Sequence, residues 1–183
     1  MKDSQFKKAV FLDRDGVINK VIFRDGKLSA ARNFGELKIL PGVKEAIAIL
    51  HQAGFLCVAV TNQPEFGRGL PPAELERMHV FLKSELKLDR IYACTHGKSG
   101  DCGCFKPQPG MVEQAVSEFG IDLKQSFVVG DRWRDMDLGK NVGCRTALVI
   151  SDATNFDKER NDKEIKSDFT ANNLLEAARL IIG

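Results

Sequence analysis

Short apolar runs alternate with longer amphipathic segments along most of this chain. Apolar runs with the length of buried strands occupy residues 8–12, 55–60, 90–93, 126–130 and 146–150. Segments with apolar residues at helical spacing begin near Pro41-Gly42, Pro71-Pro72, Met111 and Asn172. Strands that alternate with helices in this way predict an α/β fold, in which a central parallel sheet is covered by helices on both faces.

The connections between these elements leave room only for small additions. Residues 21–28 hold an Asp-Gly turn between two short apolar segments, which predicts a hairpin or flap within residues 19–34. Residues 151–168 are polar and rich in turn-forming residues, which predicts an exposed loop. We therefore expect a single domain over residues 1–183, without a large cap domain.

Composition narrows the classes of function. The 183 residues are 43% hydrophobic and 28% charged, which is typical of a globular protein with its own core. A net charge of +2 without a basic run argues against nucleic-acid binding. The start of the chain lacks the apolar core of a signal peptide, and no stretch is long enough to span a membrane. We expect a cytoplasmic monomer that binds neither nucleic acid nor membrane.

A pair of carboxylates stands where the first apolar run ends, in the sequence Phe-Leu-Asp-Arg-Asp-Gly over residues 11–16. Ligands of open parallel sheets gather beyond the carboxyl ends of the strands, so the pair lies where a reaction site is expected. If the chain bends at Gly16, Asp13 and Asp15 can both face one site. One carboxylate would then act as a nucleophile and the other as a proton donor and acceptor. The alternative is a solvated Asp-x-Asp-Gly turn without chemistry.

Later segments place further polar residues at comparable positions. Thr61, Asn62 and Gln63 follow the second strand and offer a hydroxyl and two amides to phosphate oxygens. Lys106 precedes the third helix and can neutralise a phosphoryl oxygen. Asp131 follows the fourth strand and offers a hard oxygen ligand for Mg²⁺. Taken singly, each has an ordinary explanation as a turn, a surface lysine or a helix N-cap.

The cysteines suggest a second metal site. Cys94, His96, Cys102 and Cys104 form a Cys-x-His…Cys-x-Cys cluster around a polar, glycine-rich loop over residues 94–104. Three thiolates and one imidazole make a closed tetrahedral set, which is typical of structural Zn²⁺. The remaining cysteines and histidines, interpreted as packing or surface residues without chemistry, are Cys57, Cys144, His51 and His79.

The order of these segments, a carboxylate pair followed by Thr, Lys and an acid, resembles the haloacid dehalogenase superfamily of phosphatases over residues 8–150. The resemblance implies a Rossmann-like three-layer αβα fold and hydrolysis of a phosphomonoester through an aspartyl-phosphate. It implies that Asp13 is the nucleophile and Asp15 the general acid and base. Thr61 and Lys106 would stabilise the transferring phosphoryl group. Asp131 would bind the catalytic Mg²⁺ together with Asp13 and the main-chain carbonyl of Asp15.

The cysteine cluster narrows the resemblance to the heptose bisphosphate phosphatases and the related histidinol-phosphate phosphatases. The Lys-Pro-x-Pro-Gly-Met sequence from Lys106 is similar to the first group, while the short spacing from His96 to Cys102 is more similar to the second. Removal of the 7-phosphate of D-glycero-D-manno-heptose 1,7-bisphosphate is the reaction that the resemblance implies. Histidinol phosphate or another small sugar phosphate is the alternative substrate. A non-catalytic, zinc-stapled binding module is the alternative from another class of function.

The chain departs from the family pattern around the predicted phosphate site. Phe105 stands where the family usually has an arginine before the catalytic lysine, and Pro64-Glu65 stand where it often has Ser-Gly. In the family that arginine helps to bind substrate phosphate. Either another cation replaces it here, or the Phe105 ring suits a different phosphorylated substrate with an apolar or ring portion. By the same resemblance, Asp135 is either a further metal-site acid or a residue that orients the ligands, and we favour the second role. The candidate substrate contacts are Arg24, Asn62, Gln63, Arg68, Phe105 and Arg132, with Arg132 the preferred replacement cation.

Overall fold

The computed structural model describes residues 6–96, 102–155 and 165–183, and a six-stranded parallel sheet lies at its centre. The sheet has the order β5-β4-β1-β6-β7-β8, and β2 and β3 form a separate antiparallel hairpin. In chain order the strands are β1 (Lys8–Leu12), β2 (Ile22–Arg24), β3 (Lys27–Ser29), β4 (Phe55–Asn62), β5 (Arg90–Cys94), β6 (Phe127–Gly130), β7 (Arg145–Val149) and β8 (Phe169–Ala171).

Helices cover both faces of this sheet. They are α1 (Val43–Gln52), α2 (Pro72–Leu86), α3 (Gly110–Phe119), α4 (Trp133–Val142) and α5 (Leu174–Ile182). Along β1, Val10 and Leu12 pack in one hydrophobic cluster with α1 and α5, while Ala9 and Phe11 pack in another with α3 and α4. Because β1 is buried on both faces, its sequence is apolar throughout and does not alternate. The predicted α/β class, with helices on both faces of a parallel sheet, is confirmed.

The path of the chain creates a crevice at the carboxyl ends of the central strands. From β1 the chain passes to β4 and β5, returns to β6 on the opposite side of β1, and continues to β7 and β8. Ligands of open α/β sheets bind where the strand order reverses in this way. Residues that follow β1, β4 and β6 therefore meet at one edge of the sheet.

The region after β7 differs from the expectation. The sequence pattern does not predict β8, because a strand of three residues is too short to show a period. Asp168 accepts hydrogen bonds from the main-chain N (2.7 Å) and Oγ1 (2.8 Å) of Thr146, which attaches β8 beside β7. Within the predicted exposed loop, residues 152–155 form a helical turn in which Ala153 and Thr154 are buried. Residues 156–164 of that loop lie outside the described residues.

The β2–β3 hairpin lies in the segment where a flap is predicted. Arg24 on β2 donates from Nη2 to both carboxylate oxygens of Glu36 at 2.8 Å. The main-chain N of Phe34 donates to Glu74 on α2 at 2.9 Å, so the base of the hairpin is attached to that helix. In the described parts of the chain, no helix is both long enough and apolar enough to cross a membrane.

Candidate active site

A pocket of about 460 Å³ opens at the carboxyl edge of the sheet. Its lining includes Asp13 and Asp15 after β1, Thr61 near the end of β4, and Lys106 from the loop before α3. Asp131 follows β6, is fully buried, and has a carboxylate oxygen within 4.8 Å of one from Asp13. The fold thus brings together the polar residues that the sequence places at separate strand ends.

The turn after β1 depends on Gly16. Its φ is +96°, a left-handed conformation that residues with a side chain rarely adopt. A Cβ atom on Gly16 would also lie 1.8 Å from Oδ2 of Asp131, so the turn can approach that carboxylate only without a side chain. Glycine therefore allows the main chain that follows Asp15 to lie against Asp131.

Lys106 is a buried cation among carboxylates. Its Nζ lies 2.8 Å from Oδ1 of Asp13 and 2.6 Å from Oδ1 of Asp135. Burial alone would lower the pKa of Lys106, but the carboxylates of Asp13 and Asp135 raise it above its ordinary value. Asn62 holds the Lys106 main chain, because its Oδ1 accepts from Lys106 N (2.9 Å) and its Nδ2 donates to Lys106 O (3.3 Å). The ammonium group is therefore charged and held beside the predicted nucleophile.

Three carboxylates converge here: Asp13, Asp131 and Asp135 each place an oxygen within 4.8 Å of the others. Burial raises the pKa of Asp13 to about 6 despite the nearby lysine. Burial and the neighbouring acids also raise the pKa of Asp131 well above its ordinary value. Oδ2 of Asp131 accepts from Ser151 Oγ at 2.6 Å, but its buried Oδ1 has no hydrogen-bond partner among the described residues. An unpartnered carboxylate oxygen among three acids fits a hard cation such as Mg²⁺.

The Asp15 carboxylate is held by three side chains. Its Oδ1 accepts from Asn19 Nδ2 (2.8 Å) and Arg14 Nη2 (3.2 Å), and its Oδ2 accepts from Gln63 Nε2 (2.6 Å) and Arg14 Nε (3.0 Å). Gln63 is fully buried and also donates to Thr61 Oγ1 at 2.9 Å. Gln63 therefore orients Asp15 and Thr61, whereas the sequence predicts it as a substrate contact. The roles of Arg14 and Asn19 were missed, because sequence alone does not show which atoms Asp15 meets.

The rim of the pocket consists of more exposed side chains: Lys27, Glu65, Arg68, Phe105, Arg132 and Arg134. Among the predicted substrate contacts, Arg68, Phe105 and Arg132 line the pocket, as does Asn62. Arg24 does not line the pocket, and its guanidinium is instead paired with Glu36. The predicted set of cations therefore reaches the pocket only in part.

Arg134 was missed by the sequence reasoning, although it stands only two positions after Arg132. Its guanidinium carbon lies 5.9 Å from the centre of the Phe105 ring and 4.9 Å from the centre of the Trp133 ring. A guanidinium over an aromatic face is attracted by the ring quadrupole. The Phe105 ring therefore helps to hold the Arg134 guanidinium at the rim of the pocket.

The cysteine cluster joins the end of β5, which carries Cys94, to the loop that leads to Lys106. The Sγ of Cys94 is 3.5 Å from Nδ1 of His96, 3.7 Å from Sγ of Cys102 and 2.7 Å from Sγ of Cys104. The four ligand atoms all lie within 4.8 Å of one another, and each of these cysteines is a free thiol. Residues 97–101 of the predicted zinc loop lie outside the described residues. Three sulfur atoms and an imidazole nitrogen fit Zn²⁺ without an open coordination position.

Comparison with known proteins gives consistent matches over most of the chain. A family model described as HAD-hydrolase-like matches residues 103–177. The D-glycero-beta-D-manno-heptose-1,7-bisphosphate 7-phosphatase of Haemophilus ducreyi is 32% identical over 183 residues, which cover 93% of this chain and 96% of the relative. The protein of the same name from Pasteurella multocida is 36% identical over 156 residues, covering 79% of this chain and 82% of the relative. The crystal structure of D,D-heptose 1,7-bisphosphate phosphatase from B. bronchiseptica, complexed with magnesium and phosphate, has a TM-score of 0.82 at 30% identity and covers 96% of this chain and 98% of that one.

Proposed function

Because the chain belongs to the family of D-glycero-beta-D-manno-heptose-1,7-bisphosphate 7-phosphatases, within the HAD-like hydrolases, and is a phosphatase, we propose that it removes the 7-phosphate of that heptose bisphosphate. The observation that carries the proposal is the contact between the Asp13 carboxylate and the charged Lys106, at 2.8 Å, in a pocket of about 460 Å³. A carboxylate beside a fixed cation suits attack on a phosphate ester. The volume lies in the range of pockets that enclose small molecules.

In the proposed reaction, an Asp13 oxygen attacks the phosphorus atom, and the bond between phosphorus and the sugar oxygen breaks as an aspartyl-phosphate forms. Asp15 gives a proton to the departing sugar oxygen and later takes one from the attacking water. Thr61 Oγ1 and Lys106 Nζ bind the phosphoryl oxygens as charge develops. Attack by water releases inorganic phosphate and restores the Asp13 carboxylate.

We assign a Mg²⁺ site to Asp13, Asp131 and the main-chain carbonyl of Asp15. Bound there, Mg²⁺ would reduce the repulsion between the Asp13 carboxylate and the phosphate dianion. Asp135 binds Lys106 Nζ and accepts from the main-chain N of Arg132 at 3.2 Å. We therefore propose that Asp135 orients Lys106 and stands outside the metal-ligand set.

We also propose that the soft ligands hold a structural Zn²⁺: Cys94, His96, Cys102 and Cys104. The main-chain O of Cys94 accepts from Gln63 N at 2.7 Å, and Cys104 stands two positions before Lys106. Metal binding would therefore restrain both the segment that holds Asp15 and the segment that carries the lysine.

The rim suits a substrate with a second anionic group. Its cations outnumber its carboxylates, because Glu65 is the one acid among the rim residues defined above. A distal phosphate would therefore meet positive charge there. We favour Arg134, supported by the Phe105 ring, over Arg132 as the replacement for the arginine that the family carries before its lysine.

A panel of phosphate esters tests the proposal. We expect Mg²⁺-dependent hydrolysis with the highest kcat/KM for D-glycero-β-D-manno-heptose 1,7-bisphosphate, compared with its α anomer and histidinol phosphate. Asp13→Asn should reduce kcat by about 10³-fold or more, because the amide cannot form the aspartyl-phosphate. Asp25→Asn, at an exposed hairpin turn, is the matched control. Full activity in Asp13→Asn would refute the mechanism, and a preference for histidinol phosphate would refute the substrate assignment.

A further inference from the structure

We propose that His79 is a positioning residue, which fixes the Arg14 guanidinium and through it the proton-transferring carboxylate of Asp15. This inference rests on the proposed function, because it assumes that Asp15 is the general acid of a phosphatase. His79 lies on α2, outside the lining of the pocket. Its effect on the reaction would therefore pass through Arg14.

Arg14 connects the two residues. Its side chain is fully buried, and its Nε and Nη2 donate to the Asp15 carboxylate at 3.0 and 3.2 Å. The remaining terminal nitrogen, Nη1, lies 3.2 Å from Nε2 of His79. A guanidinium group is planar and rigid, so an anchor at Nη1 also fixes the directions of the N–H bonds at Nε and Nη2. His79 thus determines the orientation from which Arg14 meets Asp15.

The protonation state of His79 agrees with this role. Nη1 of Arg14 can only donate, so Nε2 of His79 must accept, which requires the neutral imidazole with its proton on Nδ1. Burial, and then the charge of Arg14, lower the pKa of His79 to about 4. The imidazole therefore remains an acceptor at neutral pH.

The helix that carries His79 is firmly packed. Leu75 and Leu82 are buried, and they stand four positions before and three positions after His79, so all three share one face of α2. At this spacing an apolar side chain would extend the buried stripe. An imidazole that instead meets a buried guanidinium is held by the helix at a defined distance from the turn after β1.

A leaving-group comparison separates positioning of the acid from a purely structural role. The sugar oxygen of the heptose ester must receive a proton as it departs. In p-nitrophenyl phosphate the leaving group is p-nitrophenolate, which is a stable anion and needs no proton. A misplaced Asp15 should therefore slow formation of the aspartyl-phosphate from the first substrate far more than from the second. The value of kcat/KM reports this step for both substrates. Loss of folded protein would lower both values equally.

The experiment uses His79→Leu, His79→Gln and Asp15→Asn, with His51→Leu on α1 as the matched control. For His79→Leu we expect kcat/KM to fall about ten-fold with the heptose bisphosphate and less than about two-fold with p-nitrophenyl phosphate. The ten-fold loss is only part of what general acid catalysis supplies, because Asp15 is misplaced and not removed. His79→Gln, whose amide oxygen can accept from Arg14, should recover most of the loss. Asp15→Asn should show the same substrate dependence more strongly.

The outcomes distinguish the two proposals. If wild-type protein hydrolyses neither ester, the proposed function fails and the role of His79 fails with it. In a second outcome, wild-type protein is active and Asp15→Asn lowers kcat/KM more for the heptose ester than for p-nitrophenyl phosphate. If His79→Leu then lowers kcat/KM equally for both substrates, or for neither, the positioning role alone is overturned. If thermal unfolding shows that His79→Leu does not fold, His79→Met, a more adaptable apolar side chain, takes its place with the same criteria.

Discussion

The floor and the rim of the pocket are built in different ways. We call the floor the buried lining residues Asp13, Thr61, Lys106 and Asp135 together with Asp131, which lies beside them. Each floor residue is at most 8% exposed, whereas every residue of the rim is half-buried or exposed. The floor residues lie at or beyond the ends of strands, and Lys106 pairs there with Asp13 and Asp135. The rim side chains come from the hairpin, from loops and, for Arg134, from the first turn of α4.

This difference in burial decides which residues can change. A charge removed from water needs a partner, so replacing one member of the floor leaves another uncompensated. A charge at the rim remains in contact with water, and its loss or exchange costs the fold little. We therefore expect substitutions in the floor to be constrained by burial and by the proposed reaction, whereas rim residues such as Phe105 and Glu65 can vary at little cost to the fold.

The largest expected effect tests the floor. Lys106→Met should lower kcat by about 10³-fold on every phosphate ester, because the developing phosphoryl charge loses its fixed cation. Steady-state kinetics with the heptose bisphosphate and p-nitrophenyl phosphate measures this, with the exposed Lys44→Met as the control. If kcat fell only with the bisphosphate, Lys106 would act on the distal group like a rim residue. That result would contradict the distinction between floor and rim.

An intermediate effect is expected at the rim. Arg134→Ala should raise KM for the bisphosphate about ten-fold, because a charged contact with the distal phosphate is lost, and should leave kcat nearly unchanged. With an ester that carries one phosphate, KM should change less than about two-fold. Arg179→Ala, exposed on α5, is the control. Equal changes with both substrates would show that Arg134 acts on the floor and does not recognise the distal group.

The smallest effect concerns the stability of the floor. Since the folded, metal-free protein raises the pKa of Asp13 from 3.8 to about 6, the carboxyl contributes stability below about pH 4 that is lost as the pH rises through 6. Mg²⁺ binds the ionised carboxylates, so it should raise Tm by a few degrees at pH 7.5 and by less at pH 5. Thermal unfolding with and without Mg²⁺ at both pH values measures the difference. The shift should disappear in Asp131→Asn, and a larger shift at pH 5 would contradict the assignment.

The sequence predicts the floor well because its residues follow the strongest local signals. Asp13 and Asp131 come directly after continuous apolar runs, and a parallel sheet brings the ends of such runs to one edge. The main strands are predictable for the same reason. β8 is not, because three residues show no period and the strand is held by distant contacts between Asp168 and Thr146.

The rim and the supporting side chains are less predictable, since they depend on which long side chains meet in space. The sequence does not show which side chain the guanidinium of Arg24 or of Arg134 meets. In the structure Arg24 pairs with Glu36, whereas Arg134 lies over Phe105. His79 has the spacing of a packing residue, and only the structure shows its contact with Arg14. Contacts between long side chains of this kind produce no periodic pattern in the sequence, so they cannot be predicted from it.

The segment after β7 has a consequence for how activity arises during folding. Ser151 Oγ donates to the Asp131 carboxylate, and Thr154 Oγ1 donates to the main-chain O of Asp131, both at 2.6 Å. Asp131 is therefore fixed only when the segment after β7, which stands 20 to 23 positions later in the chain, has docked against it. Asp131 also follows β6, whose pairing with β1 joins Val10 to Phe127, 117 positions apart. Contacts between segments so far apart form late, because their loop-closure entropy must be overcome first. We therefore expect phosphatase activity to appear only in the final stage of folding, after most secondary structure has formed.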